Sequence, residues 1–222
     1  MQEYKRQFIE FMVECGVLTF GDFVTKSGRR TPFFINTGNY DSGDRLSRLG
    51  WFYARALHDG LGEAYEFLFG PAYKGIPLVA ATAVALSRDF GRDVKYCFNR
   101  KEVKDHGEGG GLVGYQPRPG ERAVIVEDVT TAGTSIRETA PLLCSQAKAE
   151  IVALLVSVDR QERGTGKLSA LSELQEEFGL KPLPIVSLDE IVEHLAERPI
   201  NGRVLLDKAM LERIADYRRL YG

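Results

Sequence analysis

Glu127 and Asp128 stand side by side where the stretch RAVIVEDVTTAGTS, Arg122 to Ser135, turns from an unbroken apolar run into a loop almost without side chains. Ala123 to Val126 fit a buried central strand, and Thr134 or Ser135 fits the cap of a following helix. Ionised carboxylates only accept hydrogen bonds. In the loop, Ala132 and Gly133 let the backbone approach a ligand, and successive amides leading into a helix N-terminus are donors suited to a phosphate. The acids would repel that phosphate unless they faced something else. Sugar hydroxyls, or a divalent metal reached through them or through water, resolve the conflict. The stretch points to a phosphorylated sugar.

Such a pair needs a sheet to hold it. The amphipathic N-terminal segment MQEYKRQFIEFMVECG predicts a helix, and Leu18 to Gly38 predicts short strands and turns. RLSRLGWFYARALHDG predicts a helix ended by Gly60. Strand-like and helix-like segments then alternate: YEFLFG, IPLVAATAVALSRDF, VKYCFN, Ala123 to Val126, SIRETAPLLCSQAKA, IVALLVSVD and LPIVSL. That alternation predicts an α/β fold, a parallel sheet with helices on both faces. Pro141 predicts a kink or a late start in its helix. Ligands of open parallel sheets bind at the carboxyl ends of the strands. Three loops there carry chemistry: GPAYKG, RKEVKDHGEGGGLVG and EDVTTAGTS.

Composition narrows the class. The 222 residues suit one domain over 1–222. A net charge of -2, from 29 basic and 31 acidic residues, leaves no strongly basic surface for nucleic acid. Cys15, Cys97 and Cys144 are widely spaced and flanked by apolar residues, which predicts reduced core thiols in a cytoplasmic protein. The N-terminus lacks the pattern of a secretion signal, and no apolar run approaches the length needed to cross a bilayer. Gly109, Gly111 and Gly114 have dinucleotide-fingerprint spacing but lead into YQPRPG rather than a helix, so Gly107 to Gly114 is read as a lid. GTGKLS lacks the first glycine of a P-loop.

VIVEDVTTAGTS resembles the phosphoribosyl-diphosphate signature of type I phosphoribosyltransferases. TKSGRRTPFFIN, GPAYKGIPL, NRKEVKDHGEGG and SVDRQERG resemble, in order and spacing, the orotate phosphoribosyltransferases. The resemblance covers most of residues 18 to 165. It implies the type I fold, with residues 1–40 as a small hood over the base site, and transfer of a phosphoribosyl group to orotate in pyrimidine synthesis. It implies that Thr130, Thr131, Ala132, Gly133, Thr134 and Ser135, with Val129, hold the 5-phosphate, while Glu127 and Asp128 meet the ribose hydroxyls and a magnesium ion. Tyr73, Lys74, Lys26, Arg100, Lys104 and His106 would meet phosphoribosyl diphosphate. Phe34 and Ile35 would wall the pyrimidine, and Lys26, Thr131 and Arg160 would recognise orotate. Lys101, catalytic together with Glu127 and Asp128, would serve the partner subunit of a homodimer with shared sites. The chain departs from the family pattern in pairing Glu with Asp, where Asp-Asp is expected, and in Ile35, where an aromatic is frequent. No appended orotidylate decarboxylase is expected.

The same chemistry follows from the residues. Ribosyl transfer passes through a cation-like sugar while the leaving diphosphate gains charge, so cations and exclusion of water matter more than a nucleophile. Ordinary readings compete. Loop cations are usually solvated, His58 and His194 read as helix-surface residues, and Arg160 could simply pair with Asp159 or Glu162. Alternation lets only one of Phe33 and Phe34 face a site. A purine-base transferase and a non-catalytic sensor of phosphoribosyl diphosphate stay open as alternatives.

Overall fold

Helix α1 (Glu3–Glu14) buries Tyr4, Phe8, Ile9, Phe11 and Met12, the apolar face of the N-terminal pattern. The computed structural model describes residues 1–25, 28–101, 111–130, 133–200 and 202–222, so the expectations placed on Lys26, Lys104, His106, Thr131 and Ala132 lie outside it. An antiparallel hairpin follows, β1 (Leu18–Val24) with β2 (Arg30–Ile35). Helix α2 (Gly43–Leu61) starts at Ser42, whose side chain accepts from the Arg45 amide. Gly60 does not stop it. It lies inside the helix, where an added Cβ would come 2.6 Å from Leu183 Cδ1, and the stop is Gly62 at φ +53°.

The chain continues through β3 (Phe67–Gly70), α3 (Gly75–Phe90), β4 (Lys95–Asn99), β5 (Leu112–Gly114) and β6 (Arg122–Val126). Then come α4 (Thr134–Pro141), β7 (Glu150–Asp159), α5 (Ala170–Phe178), β8 (Lys181–Ser187) and α6 (Leu188–Leu195). A two-residue-strand hairpin, β9 (Pro199–Ile200) and β10 (Arg203–Val204), precedes α7 (Lys208–Tyr221). The main sheet runs β5-β4-β3-β6-β7-β8 and is parallel except at one edge, where β5 lies antiparallel to β4. Of the lid expected over 107–114, Leu112–Gly114 belong to the sheet, and 107–110 lie outside the described residues.

Both faces of the sheet are covered, which is why its strands read as continuous apolar runs. Leu68, Val124, Val126 and Leu155 pack toward α1, α2, α3 and α6. Phe67, Phe69, Ile125, Leu154 and Val156 pack toward α4 and α5. Each such side chain contributes roughly 1.5–3 kcal/mol when fully buried. Pro141, with no amide to donate, ends the regular turns of α4, and a π-helical turn over Leu142–Gln146 follows in place of a late start. Two surface and core assignments change. His194 is buried and meets Glu10 at 3.0 Å, and Cys144 is exposed while Cys15 and Cys97 are buried. The apolar face of α6 places His194 inward at helical spacing from Leu188, Ile191 and Leu195.

Candidate active site

Chain order reverses between β3 and β6: β3 is followed by β4 on one side, and β6 returns on the other. The loops leaving these two strands diverge and open a crevice at their carboxyl ends. A cleft of about 310 Å³ lies there, lined by Pro71 to Lys74 from the first loop and by Glu127 to Thr130 and Gly133 to Ser135 from the second.

The first loop turns tightly. Gly70 and Gly75 approach so closely that a Cβ on Gly70 would lie 2.2 Å from the Gly75 carbonyl oxygen. The Ala72 amide donates to Asn99 Oδ1 at 2.7 Å, fixing the turn to the end of β4, and the peptide between Ala72 and Tyr73 is cis. Tyr73 is 65% exposed. Lys74 Nζ reaches across the crevice to Asp128 Oδ2 at 2.7 Å and to Thr37 Oγ1 at 3.0 Å. Thr37, just beyond β2, donates to the same Asp128 oxygen at 2.7 Å.

The acid pair divides its work. Burial pulls the Asp128 carboxyl upward, but bonds from Lys74, Thr37 and the Val129 amide outweigh it and hold the group below the usual carboxylate range. Glu127 goes the other way. Burial pushes it up to about 7, against the Ser135 hydroxyl and the Asp128 amide, and the neighbouring Asp128 charge adds to the rise. Ser135 Oγ donates to Glu127 Oε2 at 2.5 Å and the Asp128 amide to Oε1 at 3.0 Å. Glu127 thus ties the start of the loop to the start of α4, whereas Asp128 faces the crevice. Behind them Tyr53 donates to the Glu127 carbonyl at 2.8 Å and Ser157 Oγ to the Asp128 carbonyl at 2.6 Å.

Neither Thr134 nor Ser135 caps α4 with its side chain. Gly133, at φ +71°, occupies the cap position, its amide bonded to Thr130 Oγ1 at 3.1 Å. The first amides of α4 consequently lack intrahelical partners and face the cleft end of the helix, a donor array for an anion.

The β1–β2 hairpin packs against α7, and Phe33 of β2 meets Arg160 just beyond β7. Phe33 is fully buried and Phe34 is 41% exposed, stacked on Phe23 at 5.6 Å, so alternation divides the pair as expected. Ile35 is half-buried against the core. Arg160 follows β7 and is 9% exposed, its guanidinium 4.6 Å from the Phe33 ring centroid. It pairs with Glu162 and not with Asp159. Arg100 is exposed at the end of β4, its amide bonded to the Gly111 carbonyl at 2.9 Å. Lys101 Nζ lies 5.0 Å from the ring centroid of Tyr73 in the same chain.

Thr37, Tyr53, Asn99 and Ser157 support the site without having been singled out in the sequence, whereas Glu162 was named there only as an ordinary ion-pair partner of Arg160. Tyr53 and Ser157 look like ordinary core members, and Thr37 lies 91 residues from Asp128. Only the NRK of NRKEVKDHGEGG puts Asn99 next to a named residue.

Residues 37–177 match the family model of the phosphoribosyl transferase domain. The chain is 56% identical over 222 residues to an orotate phosphoribosyltransferase of Clostridium acetobutylicum, covering 100% of this chain and 99% of that one. It is 50% identical to the orotate phosphoribosyltransferase of Nitrosococcus oceani, over 100% of this chain and 97% of the relative. Among solved structures, the orotate phosphoribosyltransferase of Francisella tularensis superposes with a TM-score of 0.85 at 34% identity, covering 97% of this chain and 99% of that one.

Proposed function

The chain belongs to the phosphoribosyltransferase family, in its orotate branch, and transfers a phosphoribosyl group to orotate; from that premise we propose how its own residues do so. The observation that carries the reading is the pairing of opposite chemistries across one crevice. Asp128, kept ionised beside Lys74, accepts from ribose hydroxyls, while the amides of the first turn of α4 donate to the 5-phosphate. Lys74 and the exposed Tyr73 then stand at the diphosphate end, with Arg100 and Lys101 beyond them. As the bond from ribosyl C1 to the diphosphate oxygen breaks and the bond from C1 to a ring nitrogen of orotate forms, these cations balance the charge gathering on the leaving group. Arg160, the buried cation next to the base-side hairpin, pairs with the orotate carboxylate, and the exposed Phe34 lies against the pyrimidine.

Magnesium fits this donor set. Among the described residues no three His, Cys, Asp or Glu side chains group to hold a metal unaided, and the cleft offers the carboxylates of Glu127 and Asp128 alone. That suits a hard cation which takes most of its oxygens from diphosphate, ribose and water, and which neutralises the leaving group when bound. We place the enzyme in the cytoplasm, in keeping with three cysteines that stay unbonded. We further propose that it acts as a homodimer with shared sites. The purified chain, given orotate and phosphoribosyl diphosphate, is expected to consume orotate at its ultraviolet band and release diphosphate only when a divalent cation is supplied. Turnover of hypoxanthine or adenine without turnover of orotate would overturn the reading.

A further inference from the structure

Arg160 has two usable edges, and only one is spoken for. Its Nε and Nη2 donate to Glu162 Oε1 at 3.0 and 2.5 Å, which occupies the side edge of the guanidinium. Nη1 has no partner among the described residues, so the end edge, Nη1 with the second Nη2 hydrogen, is left in the fork geometry that takes a carboxylate in bidentate fashion. The Phe33 ring beneath, 4.6 Å from the guanidinium carbon, fixes the plane in which that fork lies.

Glu162 is itself held from two directions. Tyr217 of α7 donates to Oε1 at 2.8 Å, and Arg29, just before β2, reaches Oε2 at 3.3 Å. Arg29 also stacks over Tyr221 at 4.4 Å, and the Phe33 and Tyr217 rings meet edge to face at 5.7 Å. Side chains of Glu162 and Arg160 are each 9% exposed. Arg160 and Glu162 form the buried pair of this cluster, and Arg29, with a side chain 33% exposed, supports it from the rim. An incoming carboxylate on the base would take the free end edge of Arg160, whereas a base without one would leave those N–H donors unpaired in a buried place.

We propose that Glu162, clamped by Tyr217 and Arg29, is the positioning residue that aims Arg160 at the carboxylate of the base, so that the C-terminal helix takes part in choosing orotate over carboxylate-free pyrimidines. This rests on the assignment of Arg160 to orotate made above. Glu162 touches no substrate and acts through Arg160.

Wild type, Glu162→Gln and Tyr217→Phe are compared for KM of each substrate, kcat, melting temperature, and kcat/KM for orotate against uracil. Loss of a hydrogen bond to a charged group is worth roughly tenfold or more. Glu162→Gln is expected to raise KM for orotate at least tenfold and to narrow the orotate-to-uracil ratio by a similar factor, with KM for phosphoribosyl diphosphate changed less than twofold. Tyr217→Phe, which removes one hydroxyl, is expected to shift the same two quantities in the same direction by a smaller factor. If Glu162→Gln does not fold, Tyr217→Phe carries the test alone. An equal rise in both KM values, or a preserved orotate-to-uracil ratio, overturns the proposal. A wild type that ignores orotate instead refutes the assignment of the site, a result distinct from either.

Discussion

At the residue scale the two adjacent acids are separated by their surroundings, and the separation is measurable. Glu127 has its folded-state titration raised to about 7, mainly by burial, from an ordinary value of 4.5. The folded protein therefore keeps a proton that the unfolded chain gives up earlier. The resulting stabilisation is complete below about pH 4.5 and is lost as pH rises through about 7, an interval equivalent to roughly 3 kcal/mol at most. Asp128 has the opposite sign in a lower window: its contribution is present above 3.8 and fades as pH falls toward its depressed value. Glu127→Gln keeps a group that can accept from the Asp128 amide and bond Ser135, without the ionisation. Relative to wild type, the variant is expected to gain in melting temperature between pH 5 and pH 8, by up to roughly 10 °C for a chain of this size. Calorimetry at the two pH values checks it, and an unchanged difference between wild type and variant would show that Glu127 does not titrate in this window.

At the scale of elements, the turn from β3 into α3 delivers Lys74, and it exists because two glycines let strand and helix touch. A Cβ on Gly70 would meet the Gly75 carbonyl oxygen at 2.2 Å and Val79 Cγ1 at 2.7 Å, with backbone on one side and core on the other. Overpacking of that kind costs roughly 1–3 kcal/mol and is relieved only by moving the helix start. Gly70→Ala is expected to lower the melting temperature by several degrees and to weaken phosphoribosyl-diphosphate use even where the protein is folded, because Lys74 shifts with α3. A variant with wild-type KM for that substrate would show the turn to be tolerant. The same element marks what was legible in advance. GPAYKG announced a loop with chemistry at a strand end, and the strands of the sheet were visible because both their faces are apolar. Thr37 was not visible, because its bond to Asp128 exists only after the hairpin has folded over the sheet. His194 was misplaced although its helical spacing from Leu188, Ile191 and Leu195 puts it on the apolar face of α6, and Leu112–Gly114 because glycines favour a loop unless a neighbouring strand recruits them.

At the scale of the whole molecule, the proposed sharing of sites between two copies directs attention to the apolar surface of α3. Pro77, Ala80, Ala81, Val84 and Ala85 of α3, with Leu46 of α2, line a shallow apolar groove, and Val84 is 61% exposed. Tyr73, in the turn just before the same helix, is likewise 65% exposed. The loop after β4 is tied at its base by the 2.9 Å bond from the Arg100 amide to the Gly111 carbonyl. Lys101 lies over Tyr73 of its own chain, so own-site and shared-site use make different predictions for mixed dimers. Lys101→Ala spoils what a subunit would lend, and Asp128→Asn spoils what it keeps. Mixed and exchanged, the two inactive variants should form a hybrid in which one site combines the intact Asp128 of the first with the intact Lys101 of the second. Activity is then expected to return toward one quarter of wild type, since random exchange makes about half the dimers hybrid and each hybrid has one whole site. If mass analysis confirms the hybrid and the mixture stays inactive, Lys101 serves its own subunit and Tyr73 is its resting partner there.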